Sequence, residues 1–301
     1  MAHDESDRGS EAAADTALPT AWEFPPPAAT VRVTFGAQSR RGPRHATNED
    51  HYAIIELGRH EQVLFTSLPE TGAASRFDEF GYAMIVADSF GSDAAARVAI
   101  TSLLHLILHF GKWNLRIDEL IAREIMDRAN RFYRIADSAV VRHGLTTVPR
   151  PQTTLTAIFG AGRDLFIGHV GHSRGYLCRD GVLMALTRDH TLNAKRPTHA
   201  AAAPLVNVKL AARDGQHILT ETLGMPEPAG PAIALQRFQV LDDDRVLVCT
   251  NGLTDAVDES DITRILSSTR SPDEQSRMMI EAASGTEDDV TALVARYRVP
   301  Q

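Results

Sequence analysis

The sequence predicts an α+β fold built on antiparallel sheets. Two helical patterns follow one another at residues 100–108 and 121–136 without a strand between them. After Pro151 the chain becomes a run of short strand patterns separated by turn residues. Regular alternation of strand and helix, which marks a parallel α/β sheet, is absent. These observations favour antiparallel sheets with helices placed to the sides.

The first part of the domain reads as strands. Residues 31–40 (VRVTFGAQSR) alternate between apolar and polar side chains, as a half-buried strand does. Residues 51–57 (HYAIIEL) predict a second strand, and residues 59–80 a partner strand with a loop. The apolar run GYAMIVADSFG predicts a strand that ends at Asp88.

Helical periodicity follows. Apolar residues recur at the spacing of an amphipathic helix, first at Ile100, Leu103, Leu104, Ile107 and Leu108, and then at Ile121, Ile125, Ala129, Phe132 and Ala136. Short strands are predicted from TTLTAIFGA, DLFIGHVG, RGYLCRDG, VLMALT and RVLVCTNG. The segments DITRILSS and PDEQSRMMIEAAS predict two helices, with Ser260 and Ser271 as their N-caps. DVTALVARYRV predicts a final strand.

Composition limits the functional class. The chain has 301 residues and a formal net charge of -8, which argues against a general nucleic-acid binder because such a protein carries a basic face. No signal-peptide pattern opens the sequence, and the apolar run LLHLILHF is too short to span a bilayer. We therefore expect a soluble, cytoplasmic monomer without a membrane partner. Cys178 and Cys249 each end an apolar run, which predicts buried, inert thiols.

The N-terminal segment differs from the rest of the chain. Residues 1–29 are rich in Ala, Asp, Glu and Pro and offer few large apolar side chains to bury. This composition predicts a disordered tail that is dispensable for folding. The folded domain is expected to cover residues 30–301.

One short motif raises the possibility of a serine hydrolase. Residues Gly171 to Gly175 spell G-x-S-x-G, the pattern of a nucleophile elbow, with Ser173 at its centre. Such an elbow requires a strand, a sharp turn and then a helix. Here YLCRDGVLMAL follows, which predicts strand, turn and strand. The context therefore argues that Ser173 is not a nucleophile.

A second set of motifs covers far more of the chain. The segments ATNED, VADSFGSDAAARVA, TTLTAIF, GHVGHSRGYLCRDGVLMALTRDHT, LTETLG, RVLVCTNGLTDAVDESDI and GTEDDVTALV occur in this order. They resemble, block after block, the metal-dependent Ser/Thr protein phosphatases of type 2C (PPM). The resemblance runs from about Val31 to the C-terminus and implies a four-layer sandwich of two antiparallel sheets flanked by helix pairs. In it, Ser173 is structural.

The resemblance also implies a metal site for two Mn or Mg ions. Hard divalent cations prefer oxygen ligands, and a pair of them can neutralise phosphate charge and activate a water. By the resemblance, Asp88 is the aspartate that bridges the two metals, and Ser89 contributes its backbone carbonyl. Asp50, Asn251 and Asp288 match the remaining ligand positions. Asp189 and His190 are interpreted as a hydrogen-bonded pair that holds a loop.

Three positions depart from the family pattern. Asn251 stands where the family usually has Asp. The remaining carboxylates, Asp50, Asp88 and Asp288, bring three negative charges against the four positive charges of two divalent ions. His172 replaces an aspartate associated with a third, weaker ion, which argues against that ion. The slot of the phosphate-binding arginine holds His45, and Arg44 is one residue earlier. A one-residue insertion would let Arg44 take that role; otherwise phosphate binding is weakened.

The leading hypothesis is hydrolysis of phosphoserine and phosphothreonine in phosphorylated protein substrates. The alternative is a pseudophosphatase that keeps the fold and acts as a binding or regulatory module. Asn251, His172 and the displaced arginine favour the alternative, whereas Asp50, Asp88 and Asp288 favour the enzyme.

Overall fold

The computed structural model describes residues 31–62, 64–65, 76–112, 117–195, 218–225 and 230–299. The predicted tail, residues 1–29, lies outside these described residues, so its disorder stays a prediction.

Eleven strands are found within the described residues. They are β1 (Arg32–Arg40), β2 (Asp50–Gln62), β3 (Arg76–Phe90), β4 (Gln152–Thr153), β5 (Leu155–Ala161), β6 (Asp164–Val170), β7 (Arg174–Arg179), β8 (Val182–Ala185), β9 (Ala234–Gln239), β10 (Arg245–Cys249) and β11 (Val290–Arg298). One sheet has the order β1-β11-β10-β7-β8 and the other β2-β3-β5-β6-β9, with β4 paired to β3. Neighbouring strands run antiparallel throughout.

Helices cover the outer face of each sheet. The helices are α1 (Ala94–Phe110), α2 (Glu119–His143), α3 (Leu192–Lys195), α4 (Asn251–Thr254), α5 (Glu259–Leu266) and α6 (Pro272–Ala282), with a short 3-10 turn at Gly144–Thr146. The α1/α2 pair packs on the sheet of β2 and β3, and α5 and α6 pack on the sheet of β10 and β11. A third apolar cluster fills the space between the sheets. The order of layers is helix, sheet, sheet, helix, as predicted.

Some local predictions need correction. The segment 59–80 contains no separate partner strand in its described part, because β2 continues to Gln62 and β3 starts at Arg76, forming the two arms of one long hairpin. Strand β3 also continues two residues past Asp88. Strand β9 carries no clear apolar alternation and was not predicted.

The two predicted N-caps have different outcomes. Ser271 caps α6 in a complete capping box with Glu274, as predicted. Ser260 is not a cap, because α5 begins at Glu259 and the extended residue before it is Asp258. Cys178 and Cys249 are free and buried, as expected. Among the described residues, no helix combines the length and apolar character needed to cross a bilayer.

Candidate active site

Two aspartates face each other at one edge of the β2–β3 sheet. Asp50 is the first residue of β2, Asp88 lies two residues before the end of β3, and the strand register pairs them directly. Side chains opposite each other in an antiparallel pair have Cβ atoms about 5 Å apart, and like charges in such a pair repel. The arrangement therefore concentrates negative charge at this edge.

The second sheet reaches the same point through two threonines. Thr250 follows β10, Thr291 lies in β11, and both are buried. Their hydroxyls donate to Asp50 Oδ2 at 2.7 and 2.8 Å, and Thr250 Oγ1 accepts from the Thr291 amide at 3.0 Å. These bonds join the two sheets and bring the neighbouring residues Asn251 and Asp288 to the acidic edge.

The other carboxylate oxygen of Asp50 is left without a partner. Asp50 is only 4% exposed, and its Oδ1 accepts no hydrogen bond within the described residues. A buried carboxylate oxygen without a donor is unfavourable unless a cation compensates it. The orphaned oxygen marks the position where a positive ion would be most stabilising.

The two aspartates also have perturbed acidities. Burial raises the pKa of Asp50 to about 7, and the charges of Asp289 and Asp288 act in the same direction, against the lowering effect of the two threonine hydroxyls. Burial likewise raises the pKa of Asp88 well above its usual range, and the nearby carboxylates of Asp50 and Asp288 add to it. Clustered carboxylates with raised pKa values are typical of sites that bind cations or move protons.

The backbone around Asp88 is held firmly. Its amide donates to Thr154 Oγ1 at 3.0 Å, and its carbonyl accepts from the Thr154 amide at 2.8 Å and from Thr153 Oγ1 at 2.9 Å. The hydroxyl of Ser89 accepts from the Ala96 amide in the first turn of α1 at 2.7 Å. The serine side chain is thus used to anchor α1, while the proposed role of its carbonyl stays a prediction.

Asp289, which the sequence interpretation did not single out, organises the loop before β2. This residue is buried, and its carboxylate accepts from the amides of Gly42 at 2.7 Å and Glu49 at 2.6 Å and from His45 Nδ1 at 2.8 Å. A Cβ added to Gly42 would overlap the backbone of Glu287 and Asp288, so this position requires glycine. The sequence does contain a feature that could have indicated Asp289: it is the second acid of a pair that lies directly before a predicted strand.

Asn251 opens α4 beside the same backbone. The residue is mostly buried, and its amide nitrogen donates to Asp255 Oδ2 at 3.3 Å, which leaves the amide oxygen available as a ligand. A Cβ on Gly252 would overlap the carbonyl oxygen of Asp289, so α4 requires glycine to approach this closely. Its ligand role stays a prediction.

Arg44 and His45 occupy different places. Arg44 is exposed at the surface and forms an ion pair of 3.2 Å with Glu287, the two side chains being 58% and 71% exposed. Exposed pairs of this kind contribute little stability, and the phosphate-binding role of Arg44 stays a prediction. His45 lies deeper, with Nδ1 at 2.8 Å from Asp289 and 3.8 Å from Asp288.

Ser173 has the surroundings of a structural residue. It is fully buried, and its hydroxyl pairs with Thr154 Oγ1 at 2.8 Å. Strand β7 follows it, then a turn in which Asp180 and Gly181 both have positive φ, then β8. The predicted strand, turn and strand are present, and the helix of a nucleophile elbow is not.

Asp189 and His190 hold the loop after β6 through separate partners. Asp189 forms a two-pronged ion pair with Arg174 at 2.9 and 2.7 Å. The His190 amide donates to the Gly171 carbonyl at 2.7 Å, and the Gly171 amide faces His190 Nδ1 at 3.3 Å. His172 is buried with its ring 6.1 Å from that of Phe90.

The donor set fits hard divalent cations in chemistry, although its three carboxylates fall one charge short of balancing two such ions. Oxygen donors dominate, the carboxylates raise one another's pKa, and Asp50 Oδ1 is buried and unsatisfied. In the described part of the chain, no three His, Cys, Asp or Glu side chains already form a group that could hold a metal ion. The fit therefore rests on the orphaned oxygen and the clustered charge.

Curated proteins with similar sequences are named as phosphatases. No protein-family model matches the chain. The serine/threonine phosphatase stp of Listeria welshimeri is 28% identical over 228 residues, covering 72% of this chain and 85% of that protein. The serine/threonine protein phosphatase PstP of Mycobacterium tuberculosis is 30% identical over 281 residues, covering 88% of this chain. The chain spans 45% of the length of PstP.

Solved structures of phosphatases have a similar fold. The catalytic domain of PstP in complex with two manganese ions aligns with a TM-score of 0.64 and 25% identity, covering 89% of this chain and all of that one. A Streptococcus agalactiae serine/threonine phosphatase shares the fold with a TM-score of 0.67 at 21% identity over 89% of this chain and all of that one. In sequence and in fold, the chain is therefore similar to the type 2C (PPM) metal-dependent Ser/Thr protein phosphatases.

Proposed function

We propose that this domain hydrolyses phosphoserine and phosphothreonine in proteins with the help of two Mn or Mg ions. The phosphatases of similar sequence and the manganese-bound catalytic domain of PstP support the proposal. The observation that carries it is the pairing of Asp50 with Asp88 in the strand register, with the buried Oδ1 of Asp50 unsatisfied, because a cation would compensate that oxygen. Phosphorylated proteins are the proposed substrates.

The residues divide the work between holding charge and binding phosphate. Asp50, Asp88 and Asp288 provide the carboxylates of the proposed ligand set. The Ser89 carbonyl and the Asn251 amide oxygen complete that set. When bound, two divalent cations would polarise the phosphoryl group and activate a water for attack.

Arg44 is proposed to bind the phosphate from the rim. Its present partner, Glu287, is a surface residue on the loop that leads to Asp288. Exchange of Glu287 for a doubly charged phosphate strengthens the charge-assisted hydrogen bonds of the guanidinium.

The direct test is hydrolysis of p-nitrophenyl phosphate and of a phosphothreonine peptide with Mn, with Mg and with a chelator. Asp88→Asn is expected to abolish metal-dependent turnover while the domain stays folded. Asp261→Asn, which removes an exposed carboxylate paired with Arg264 on α5, is the matched control and is expected to retain full activity. Turnover by Asp88→Asn within about twofold of wild type would overturn the assignment.

A pseudophosphatase is the other outcome of this test. It would appear as a folded wild-type protein that binds Mn through Asp88 and never releases phosphate. No relative described above is named as such a protein. The monomeric state, the cytoplasmic location and the lack of nucleic-acid or membrane partners stay predictions from the sequence.

A further inference from the structure

A cavity lies between the α1/α2 pair and the sheet on which that pair packs. Its volume is about 270 Å³, close to the lower end of the range of about 300–1,000 Å³ for ligand pockets. A water molecule in the liquid occupies about 30 Å³, so there is room for roughly nine groups of that size. The described residues that line the cavity include none from the acidic edge of Asp50 and Asp88.

Small residues on the sheet leave this space open. In the strand register Ala157 lies opposite Gly168, and Ala83 lies opposite Phe159. The Tyr133 ring of α2 rests on Gly168, where a Cβ would overlap it, and its hydroxyl donates to the Gly168 carbonyl at 2.6 Å. This contact sets the distance between α2 and the sheet, so the space beside it stays open.

The wall of the cavity is mainly apolar and rich in aromatic rings. The rings are those of Phe132 and Tyr133 on α2, Phe159 on β5 and Phe166 on β6. An apolar cavity stays dry and readily takes up an apolar molecule. Aromatic side chains also stack favourably on other rings. The body of a ligand here is therefore apolar, and a flat ring system suits these walls best.

The charged groups of the lining are cationic. They are Lys112, just after α1, and Arg128 on α2, and no carboxylate is found among the lining residues that the structure describes. Arg128 is only 8% exposed, and its Nη2 donates to Glu124 Oε1 at 2.9 Å. The Lys112 ammonium donates to the same oxygen at 2.7 Å. Two cations thus share one acid, which leaves an excess of positive charge at the cavity.

We propose that this cavity binds a small apolar monocarboxylate. The carboxylate binds Arg128 and Lys112, because the planar guanidinium matches the geometry of a carboxylate and the ammonium adds a second charge. The apolar body of the ligand fills the space between the helices and the sheet. A flat aromatic acid and a short aliphatic acid share this chemistry, and the aromatic walls favour the former.

The test is calorimetric titration of the full-length, metal-free protein in chelator, so the result does not depend on metal binding or turnover. The ligands are 2-naphthoate, octanoate and 2-naphthamide, the last being the uncharged counterpart of the first. We expect 2-naphthoate to bind with a Kd of about 1 mM or tighter, and 2-naphthamide to show no saturable binding. Tighter binding of octanoate than of 2-naphthoate would support the inference with an aliphatic body. Equal affinity for acid and amide, or no saturable binding of either acid, would overturn it.

Charge variants test the placement of the carboxylate with changes of opposite sign. Lys112→Gln should weaken 2-naphthoate binding about twofold to fivefold, and Glu124→Gln, which frees both cations from their shared acid, should strengthen it by a similar factor. Arg128→Gln should weaken it about tenfold or more. Arg264→Gln removes an exposed cation paired with Asp261 on α5 and is the matched control, with unchanged affinity. Affinity that responds to neither Lys112→Gln nor Glu124→Gln would contradict the proposed placement.

Two further measurements locate the ligand. Ala157→Leu fills the cavity from the sheet, so it should abolish binding without lowering the urea midpoint, whereas a side chain forced into a packed core destabilises it. In wild type, nuclear Overhauser effects should join 2-naphthoate to the methyl groups of Ile107 and Ile125, which line the cavity, and not to Ile262 under α5. Wild-type affinity in Ala157→Leu, or contacts to Ile262 instead, would place the ligand elsewhere and overturn the inference.

Discussion

Thr291 of β11 donates its hydroxyl to Asp50 of β2 at 2.8 Å, a bond that crosses from one sheet of the sandwich to the other. Thr250 adds a second hydroxyl to the same oxygen at 2.7 Å. The two bonds fix the carboxylate so that Oδ1, and not Oδ2, remains open to a cation. Positioning of the proposed ligand thus depends on contacts between residues about 200 or more positions apart in sequence.

Thr291→Val is the first test of this arrangement. The substitution keeps the shape of the side chain and removes the hydroxyl, so Asp50 loses one donor and Ser39 Oγ loses its 2.8 Å bond to Thr291. We expect the free energy of unfolding to fall by about 1–2 kcal/mol, and Mn affinity by about tenfold, as for other residues that orient a ligand. Urea unfolding and calorimetric Mn titration measure the two effects.

Thr34→Val is the matched control. Thr34 is exposed on β1 of the same sheet, and its replacement should change neither quantity measurably. If Thr291→Val binds Mn as tightly as wild type, the orientation of Asp50 does not depend on the cross-sheet bond.

Local sequence patterns predicted most of the fold but only part of the site. Alternation and helical spacing identified most strands and the four long helices because burial imposes those periods. Strand β9 was missed because its side chains are partly exposed and show no period of two. Ser260 was misassigned because the neighbouring Asp258 provides an equally good cap on the basis of sequence alone.

The site illustrates what local patterns cannot show. The resemblance identified Asp50, Asp88 and Asp288 as candidates, and the structure brings Asp50 opposite Asp88 at the acidic edge. The role of Asp289 depends on its contact with Gly42, 247 residues away, which no local period encodes. The Asn251–Asp255 hydrogen bond could have been predicted from the sequence, because residues four apart on a helix are neighbours.

Stability of the metal-free protein should depend on pH through Asp50. Burial raises the pKa of Asp50 from 3.8 to about 7, so between these values the folded state holds a proton that the unfolded state releases. This stabilisation is complete below pH 3.8 and is lost as the pH rises toward 7. In chelator, the urea midpoint should fall between pH 5 and pH 7.5, and saturating Mn should reduce that fall.

Asp50→Asn removes this carboxyl from the titration, together with the part of the raised pKa of Asp88 that the Asp50 charge causes. The asparagine cannot titrate, so the variant should show a flatter pH profile than wild type in the same buffers. Burial lowers the pKa of His45, but its hydrogen bond to Asp289 and the nearby carboxylates outweigh burial and raise that pKa overall, which adds a fall in the same direction that both proteins share. Equal slopes in the two proteins would mean that Asp50 is ionised throughout the range.

Ser173 should be unreactive and mainly structural. Its buried hydroxyl pairs with Thr154, so a fluorophosphonate probe should leave it unlabelled. Ser173→Ala should lower the free energy of unfolding by about 1 kcal/mol through loss of that hydrogen bond, while metal-dependent turnover remains. Mass spectrometry of the probe-treated protein and urea unfolding measure these outcomes. Stoichiometric labelling of Ser173 would revive the serine-hydrolase hypothesis.

Replacement of Asn251 by aspartate should strengthen Mn binding, but by less than the charge alone suggests. A carboxylate beside a divalent ion gains on the order of 1–3 kcal/mol after its desolvation cost, or about tenfold to a hundredfold in affinity. In this chain Asn251 also donates to Asp255 at 3.3 Å, so Asn251→Asp turns that bond into a repulsion between carboxylates.

The double variant Asn251→Asp with Asp255→Asn restores a donor and should show the full gain, whereas Asp255→Asn alone should show none. Calorimetric Mn titration of the four proteins measures the coupling. Equal Mn affinity in all of them would place Asn251 outside the metal site, and a double variant that binds Mn tightly without releasing phosphate would give the pseudophosphatase hypothesis the lead.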